Sequence, residues 1–466
     1  MKSRNDMKRL VLISLVGAAV VLNSCGLYKK YERPSVNAQG LYRDSVSLTD
    51  TLVTADTLNM GNLKWQEVFT DAPLQQLIDS GLKNNANLQV AALSVVQAEA
   101  QLKAAKLSFF PSFAFNGSGT TSRWDFSTTA SYYSLPIAAS WNVDLFGKLT
   151  NAKRASQMSM LQSKAYQQAV RASLISNIAN SYYTLLMLDR QLEITEATAQ
   201  LTKHTWDIMI AQKSYSSANE ASVQSAKANY YSVLSSAEDL KRQIKTAENA
   251  LSLLINQPAQ TISRNKIEDQ ALPDNLAVGV PVQLLSNRPD VYSAELSLAA
   301  CYYQMRQAQA NFYPSLTLTG SAGWTNNSGA GIINPGKILM SAVASLTQPI
   351  FQNGKLTAAL KVAKAQQESA YIRWQYQVLN AGNEVNNALS LYQASSKKSG
   401  LDQQRVESLT KNVDYAQKLF SLGSSTYLEI ITAQQALLTA QLSKVTDDFN
   451  KMQAIVNLYY ALGGGR

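Results

Sequence analysis

From Lys148 to Gln257 the chain contains neither glycine nor proline. Nothing in that stretch breaks a helix, and its apolar residues recur at helical spacing. Ile175, Ile178, Tyr182, Leu185 and Leu192 form one seam; Ala237, Leu240, Ile244, Ala247, Leu251 and Leu254 form another. Steps of three and four are the signature of a coiled-coil contact. An unbroken helix from Lys148 to Lys213 would be roughly 100 Å long at 1.5 Å per residue, more than a globular core requires. A second run, Ile350 to Arg466, has no proline and few glycines before its terminal "GGG". Ser, Asn and Gly collect at Lys213–Ser222 and Phe420–Glu429, where each run would turn back as a hairpin.

The chain is doubled. Setting Pro111 against Pro314 places Leu93 on Leu296 and Ala105 on Ala308. Further along, Phe146, Gly147 and Lys148 meet Phe351, Gly354 and Lys355, and Ala211-Gln212-Lys213 meets Ala416-Gln417-Lys418. A period of about 200 residues is too long for a solenoid repeat. Each copy reads as a helix, two strands, a very long helix, a turn and a long helix.

The strands follow "FFPS" (Phe109–Ser112) and "FYPS" (Phe312–Ser315), where the hydrophobic period changes from near 3.6 to 2. Leu316, Leu318, Gly320, Ala322 and Trp324 alternate with Ser315, Thr317, Thr319, Ser321 and Gly323. Leu135, Ile137, Ala139, Trp141, Val143 and Leu145 alternate likewise. Phe113 and Phe115 begin a third run, and Ile338 to Leu346 carries a fourth. Runs of about 10 residues suit tilted bilayer-spanning strands. Aromatics near their ends and polar loops at Arg123–Tyr133 and Thr325–Lys337 favour membrane strands over a soluble sheet with one wet face. Four strands cannot close a barrel, and open edges are not tolerated in lipid, so the chain is expected to oligomerise, two copies giving eight strands and three giving twelve.

The N-terminus reads as a secretory signal: Lys2, Arg4, Lys8 and Arg9 precede an apolar or small run, Leu10–Leu22, too short to span a bilayer. The following Leu22-Asn23-Ser24-Cys25 resembles a lipobox, which would make Cys25 a lipidated first residue. Cys301 then lacks a disulfide partner and reads as a small apolar residue in a helix seam. Losing the signal, with its four basic residues and Asp6, lowers the net charge of +10 by three. The remaining Lys and Arg are scattered without aromatic interleaving, so solvated helix faces account for them better than a nucleic-acid interface, and no nucleic-acid partner is expected. His204 is the only histidine, which rules out a His-based triad and any multi-His metal site. No enzyme constellation and no cofactor are expected beyond lipid on Cys25.

These features resemble the TolC-like outer-membrane factors, specifically the OprM/NodT-type efflux lipoproteins. The resemblance is carried by Tyr31-Glu32-Arg33-Pro34, "LLSNRPDVYSAE" (Leu284–Glu295), the paired prolines, "FSLGSSTYLEIITAQQALL" from Phe420, and "LYYALGGG" from Leu458. From the residues themselves, "RPDV" reads as a helix start, with Pro289 in the first turn and Asp290 favouring the N-terminal dipole. The resemblance implies a mainly α fold with a membrane β part: long antiparallel coiled-coil hairpins and four transmembrane strands per chain in two repeats. A homotrimer would close a 12-stranded outer-membrane barrel above a periplasmic helical tunnel. It also implies docking to a periplasmic adaptor and an inner-membrane pump, commonly of the resistance-nodulation-division type.

The expected organisation is a cleaved lipoprotein signal at 1–24 and a lipidated segment with part of an equatorial belt at 25–70. Repeat one follows at 71–257, further belt at 258–281 and repeat two at 282–466. The tip motif maps Glu429 onto an acidic ring at the periplasmic entrance, with Thr432 where some relatives carry a second acid and Asp414 as a further candidate. A solvated helix carboxylate explains Glu429 equally well. Adaptor contacts are expected at Ser216, Ser217, Ala218, Asn219 and Glu220, and at Leu422, Gly423, Ser424, Ser425 and Thr426. The expected function is a passive exit duct for small molecules. A type I protein-secretion duct is the sister reading, and a lipid-anchored coiled-coil scaffold without a pore is the competing one.

Overall fold

A computed structural model describes residues 29–35, 41, 60–123, 125–215, 219–273, 287–325, 338–422 and 424–465. The expected signal at 1–24 and Cys25 lie outside them. In chain order the elements are α1 (Trp65–Val68), α2 (Ala72–Asn84), α3 (Ala86–Leu107), β1 (Ser112–Phe115), β2 (Ser118–Ser122) and β3 (Ala130–Val143). There follow α4 (Lys148–Ser214), α5 (Glu220–Leu254), α6 (Pro289–Ala310), β4 (Ser315–Thr325), β5 (Ile338–Thr347), α7 (Lys355–Ser421) and α8 (Tyr427–Ala461). The duplication is metrical: α3 and α6 have 22 residues each, α4 and α7 have 67, and α5 and α8 have 35.

Both 67-residue helices start the same way. Gly147 and Gly354, the matched glycines of the two copies, both have φ 75°. That left-handed conformation would cost another residue about 1 kcal/mol or more. Their carbonyls accept the first helical bonds, from Asn151 N and Ala358 N at 2.9 Å. Asp144 adds a cap, its carboxylate accepting from Leu149 N, Thr150 N and the Thr150 hydroxyl. The helices before the prolines stop three residues short of them, at Leu107 and Ala310. A residue before proline is pushed toward extended geometry, so Pro111 and Pro314 hand the chain directly to β1 and β4.

The chain divides into two compact units. One takes in Leu93–Lys164 and Ser293–Tyr376 with the N-terminal residues to Val36; the other holds Asn37–Ala92, Ala165–Tyr292 and Gln377–Arg466.

The first unit contains the sheet, antiparallel throughout in the order β1-β3-β4-β5 with β2 also on β3. β1 and β2 share one register against β3, Ser112↔Ser140 through Ser122↔Ala130. The gap between them lies opposite Pro136: Asn116 N–H donates to the Pro136 carbonyl at 3.1 Å, and proline has no N–H to return the bond. The five assigned strands are therefore four spanning strands, as the periodicity predicts. On the other side of Pro136 stands Gly323, where a Cβ would lie 2.3 Å from the proline Cα, so only glycine lets β4 approach there. The loop expected at Arg123–Tyr133 is shorter, because Ala130–Tyr133 pair with Gly119–Ser122 and extend the sheet.

One face gathers Phe113, Phe115, Ile137, Trp141, Leu318 and Met340, with Phe113 71% and Met340 76% exposed. An exposed, uninterrupted apolar face of bilayer length is a lipid-facing surface. Elsewhere in this unit the strap Lys29–Ser35 is held on α6. Arg33 meets Glu295 through two bonds of 2.7 and 2.5 Å, and Tyr31 N–H donates to the Tyr303 hydroxyl at 3.2 Å.

The second unit is helical. Ile175, Ile178, Tyr182 and Leu185 of the first predicted seam are fully buried, as are Ala237 and Leu251 of the second.

Candidate functional site

The two hairpin tips lie in the second unit and pack on each other. Met209 of α4, Val223 and Ala226 of α5, Val413, Ala416 and Phe420 of α7, and Ile430 and Ala433 of α8 form one buried cluster. Gln434 reaches into it, donating to the Thr205 hydroxyl at 3.0 Å. Small alanines in the seams allow four helices to converge closely.

At the first tip Asn219 caps α5, accepting from Ser222 N at 2.9 Å and the Ser222 hydroxyl at 3.0 Å. Glu220 pairs with Lys213 across the turn and accepts from Gln224 at 2.6 Å. The Lys213 bond, then the Gln224 bond, holds its carboxyl below the usual range. Ser216, Ser217 and Ala218 lie outside the described residues, as does Gly423 of the second tip.

At the second tip α7 ends at Ser421 and the turn closes through Ser424 N–H to the Leu419 carbonyl at 2.9 Å. Thr426 and Glu429 form a capping box on α8, and the Ser425 hydroxyl also meets the Glu429 carboxylate. Local bonding thus explains the position of Glu429, while its charge remains exposed. The Thr432 hydroxyl donates back to the Leu428 carbonyl at 2.7 Å. Asp414 pairs with Lys418 on its own helix at 2.6 Å, so its charge is compensated. Glu429 and Thr432 line one groove of about 510 Å³ with Asn412, Tyr415, Leu419 and Leu428, whereas Asp414 does not. Sequence reasoning missed Tyr415, Leu419 and Leu428. Tyr415 and Leu419 lie off the buried Val413-Ala416-Phe420 seam of α7 and Leu428 off the buried Ile430-Ala433 seam of α8, and all three are exposed.

Two ion clusters were also missed. Arg288 of "RPDV" is 1% exposed and forks onto Asp290 at 2.9 and 2.5 Å. It also bonds Glu384 and lies over the Tyr460 ring at 5.5 Å. Gln377 donates to Asp290 at 2.7 Å. Burial opposes both charges, yet the pairing outweighs it, holding the arginine's pKa up and the Asp290 carboxyl down. Asp290 does stand in the first turn of α6, but the motif is principally a clamp of α6 to α7 and α8. Arg264 acts similarly, bonding Asp189 of α4 at 2.5 and 2.9 Å and Glu248 of α5 at 2.6 Å. Asp71 accepts from Tyr182, Asn265 and Gln270. No group of three or more metal-ligating side chains occurs among the described residues.

Long helical hairpins joined to a two-faced, bilayer-length sheet define an outer-membrane channel subunit. The chain matches the family described as Outer membrane efflux protein over residues 77–257 and 280–464, and it belongs to that family. It is 29% identical over 455 residues to the cation efflux system protein CusC of Escherichia coli, covering 96% of this chain and 97% of that protein. It is 27% identical over 467 residues to the solvent efflux pump outer membrane protein SrpC of Pseudomonas putida, covering 96% and 97%. A crystal structure of CusC superposes with a TM-score of 0.81 at 27% identity, covering 94% of this chain and 99% of that one.

Proposed function

We propose that three copies of this chain form the outer-membrane duct of a tripartite efflux system, exporting small molecules delivered by an inner-membrane pump through a periplasmic adaptor. The observation that carries this reading is the four-stranded sheet, apolar on one face and hydroxyl-rich on the other, with β1/β2 and β5 at open edges. Lipid does not satisfy open edges, so copies must pair, and three give twelve strands. The duct is passive; no catalytic step is assigned to it. The adaptor would dock on the tips around Asn219 and Glu220 and around Leu422, Ser424, Ser425 and Thr426. Glu429 would ring the entrance, and the pump would be of the resistance-nodulation-division type. Residues 60–70 and 258–273 would contribute to a belt, supported by the Thr70 hydroxyl donating to the Ala271 carbonyl at 3.2 Å. Cys25 would carry lipid in the outer membrane, close in sequence to the strap held by Glu295.

Single-channel recording of the purified oligomer in planar bilayers tests this. Discrete conductance is expected; complete absence of channels would leave a lipid-anchored scaffold as the function.

A further inference from the structure

The second face of the sheet determines how the barrel treats its cargo. Its positions are out of phase with Leu316 and Leu318 and include Ser140, Asn142, Thr317, Thr319, Ser321 and Ser341. Among the described residues of β1 to β5 there is no Asp, Glu, Lys, Arg or His. The hydroxyls also engage one another. Ser321 and Ser341 lie 2.7 Å apart, Thr317 donates to Asn142 Oδ1 at 2.9 Å, and Thr319 donates to the Val343 carbonyl at 3.5 Å. Hydroxyls engaged in this way present no net charge to a passing solute. Short uncharged side chains also focus no field. The nearest described charges flank the strands rather than line them. Arg123 donates to the Ser127 carbonyl in the loop, and Asp144 caps α4.

We infer that the barrel wall is a neutral, hydroxyl-lined sleeve that does not sort solutes by charge, leaving charge discrimination to the helical end of the duct. This rests on the duct reading above, with the apolar face toward lipid.

The test measures the wall potential directly. Ser321→Cys is made in a Cys301→Ser background, with Leu318→Cys as the lipid-face control and Ser140→Cys as a second wall position should the first fail to assemble. Cationic and anionic methanethiosulfonates are applied from outside to the reconstituted oligomer. Opposite unit charges in a potential of one kT differ about sevenfold in local concentration. The expected result is a cation-to-anion rate ratio at Ser321→Cys within about threefold of that for a free thiol, with Leu318→Cys protected. A ratio beyond threefold in either direction overturns the neutral wall while leaving the duct standing. Protection of both wall positions from both reagents overturns the inference and the duct together.

Discussion

At the residue scale, single charges do different work according to burial. Arg288 is enclosed and paired, so Arg288→Met leaves Asp290 and Glu384 without their shared cation. Loss of one member of a buried cluster costs about 3–5 kcal/mol; Glu384 is about a third exposed, which lowers the expected cost to about 2–4 kcal/mol. Thermal unfolding of the purified protein should show it. The Asp290 carboxyl is held below its unfolded value, so its contribution is present above about pH 4 and is lost as pH falls further. The gap in unfolding temperature between the native protein and Arg288→Met should therefore narrow only below about pH 4. Glu429, by contrast, is exposed and matters through its field. Glu429→Lys should lower the cation-to-anion permeability ratio at least about threefold; an unchanged reversal potential would remove it from the entrance.

At the element scale, the helices are set by their ends and their seams. Matched glycines at φ 75° launch α4 and α7, and the prolines hand α3 and α6 over to strands. The tips are small, capped turns with Leu422 76% exposed beyond them. An exposed leucine at a helix end suits a docking contact. Leu422→Asp should cut adaptor crosslinking several-fold while trimers survive on native gels; normal crosslinking would exclude this tip from the contact. Seam, caps and strand alternation were legible in the sequence, because each depends on local spacing. The break opposite Pro136 was not, since it depends on which residue of another strand faces Asn116.

At the scale of the whole molecule, the open edges β1/β2 and β5 require partners. In one chain they lie at opposite sides of the sheet, so cysteines at Ala114 and near Val343 cannot join within a copy. Ala114→Cys combined with a scan of β5 at two-residue steps around Val343, in a Cys301→Ser background, should oxidise to covalent species ending at the trimer. A limit at the dimer would mean an eight-stranded closure, and a longer ladder would mean no closure.

The sequence by itself determined the doubled architecture, the very long helices and the two-faced strands, because hydrophobic period, glycine and proline act within a few residues of themselves. Only the tertiary structure decided where the ion clusters and the groove at the tip form. Arg288 and Arg264 find their carboxylates on other helices, and Glu429 sits beside Tyr415 and Leu419 from the opposite arm of its hairpin. Such pairings, Arg288 with Glu384 and Arg264 with Asp189 above all, join residues on different elements and up to 96 positions apart, which no local pattern can specify.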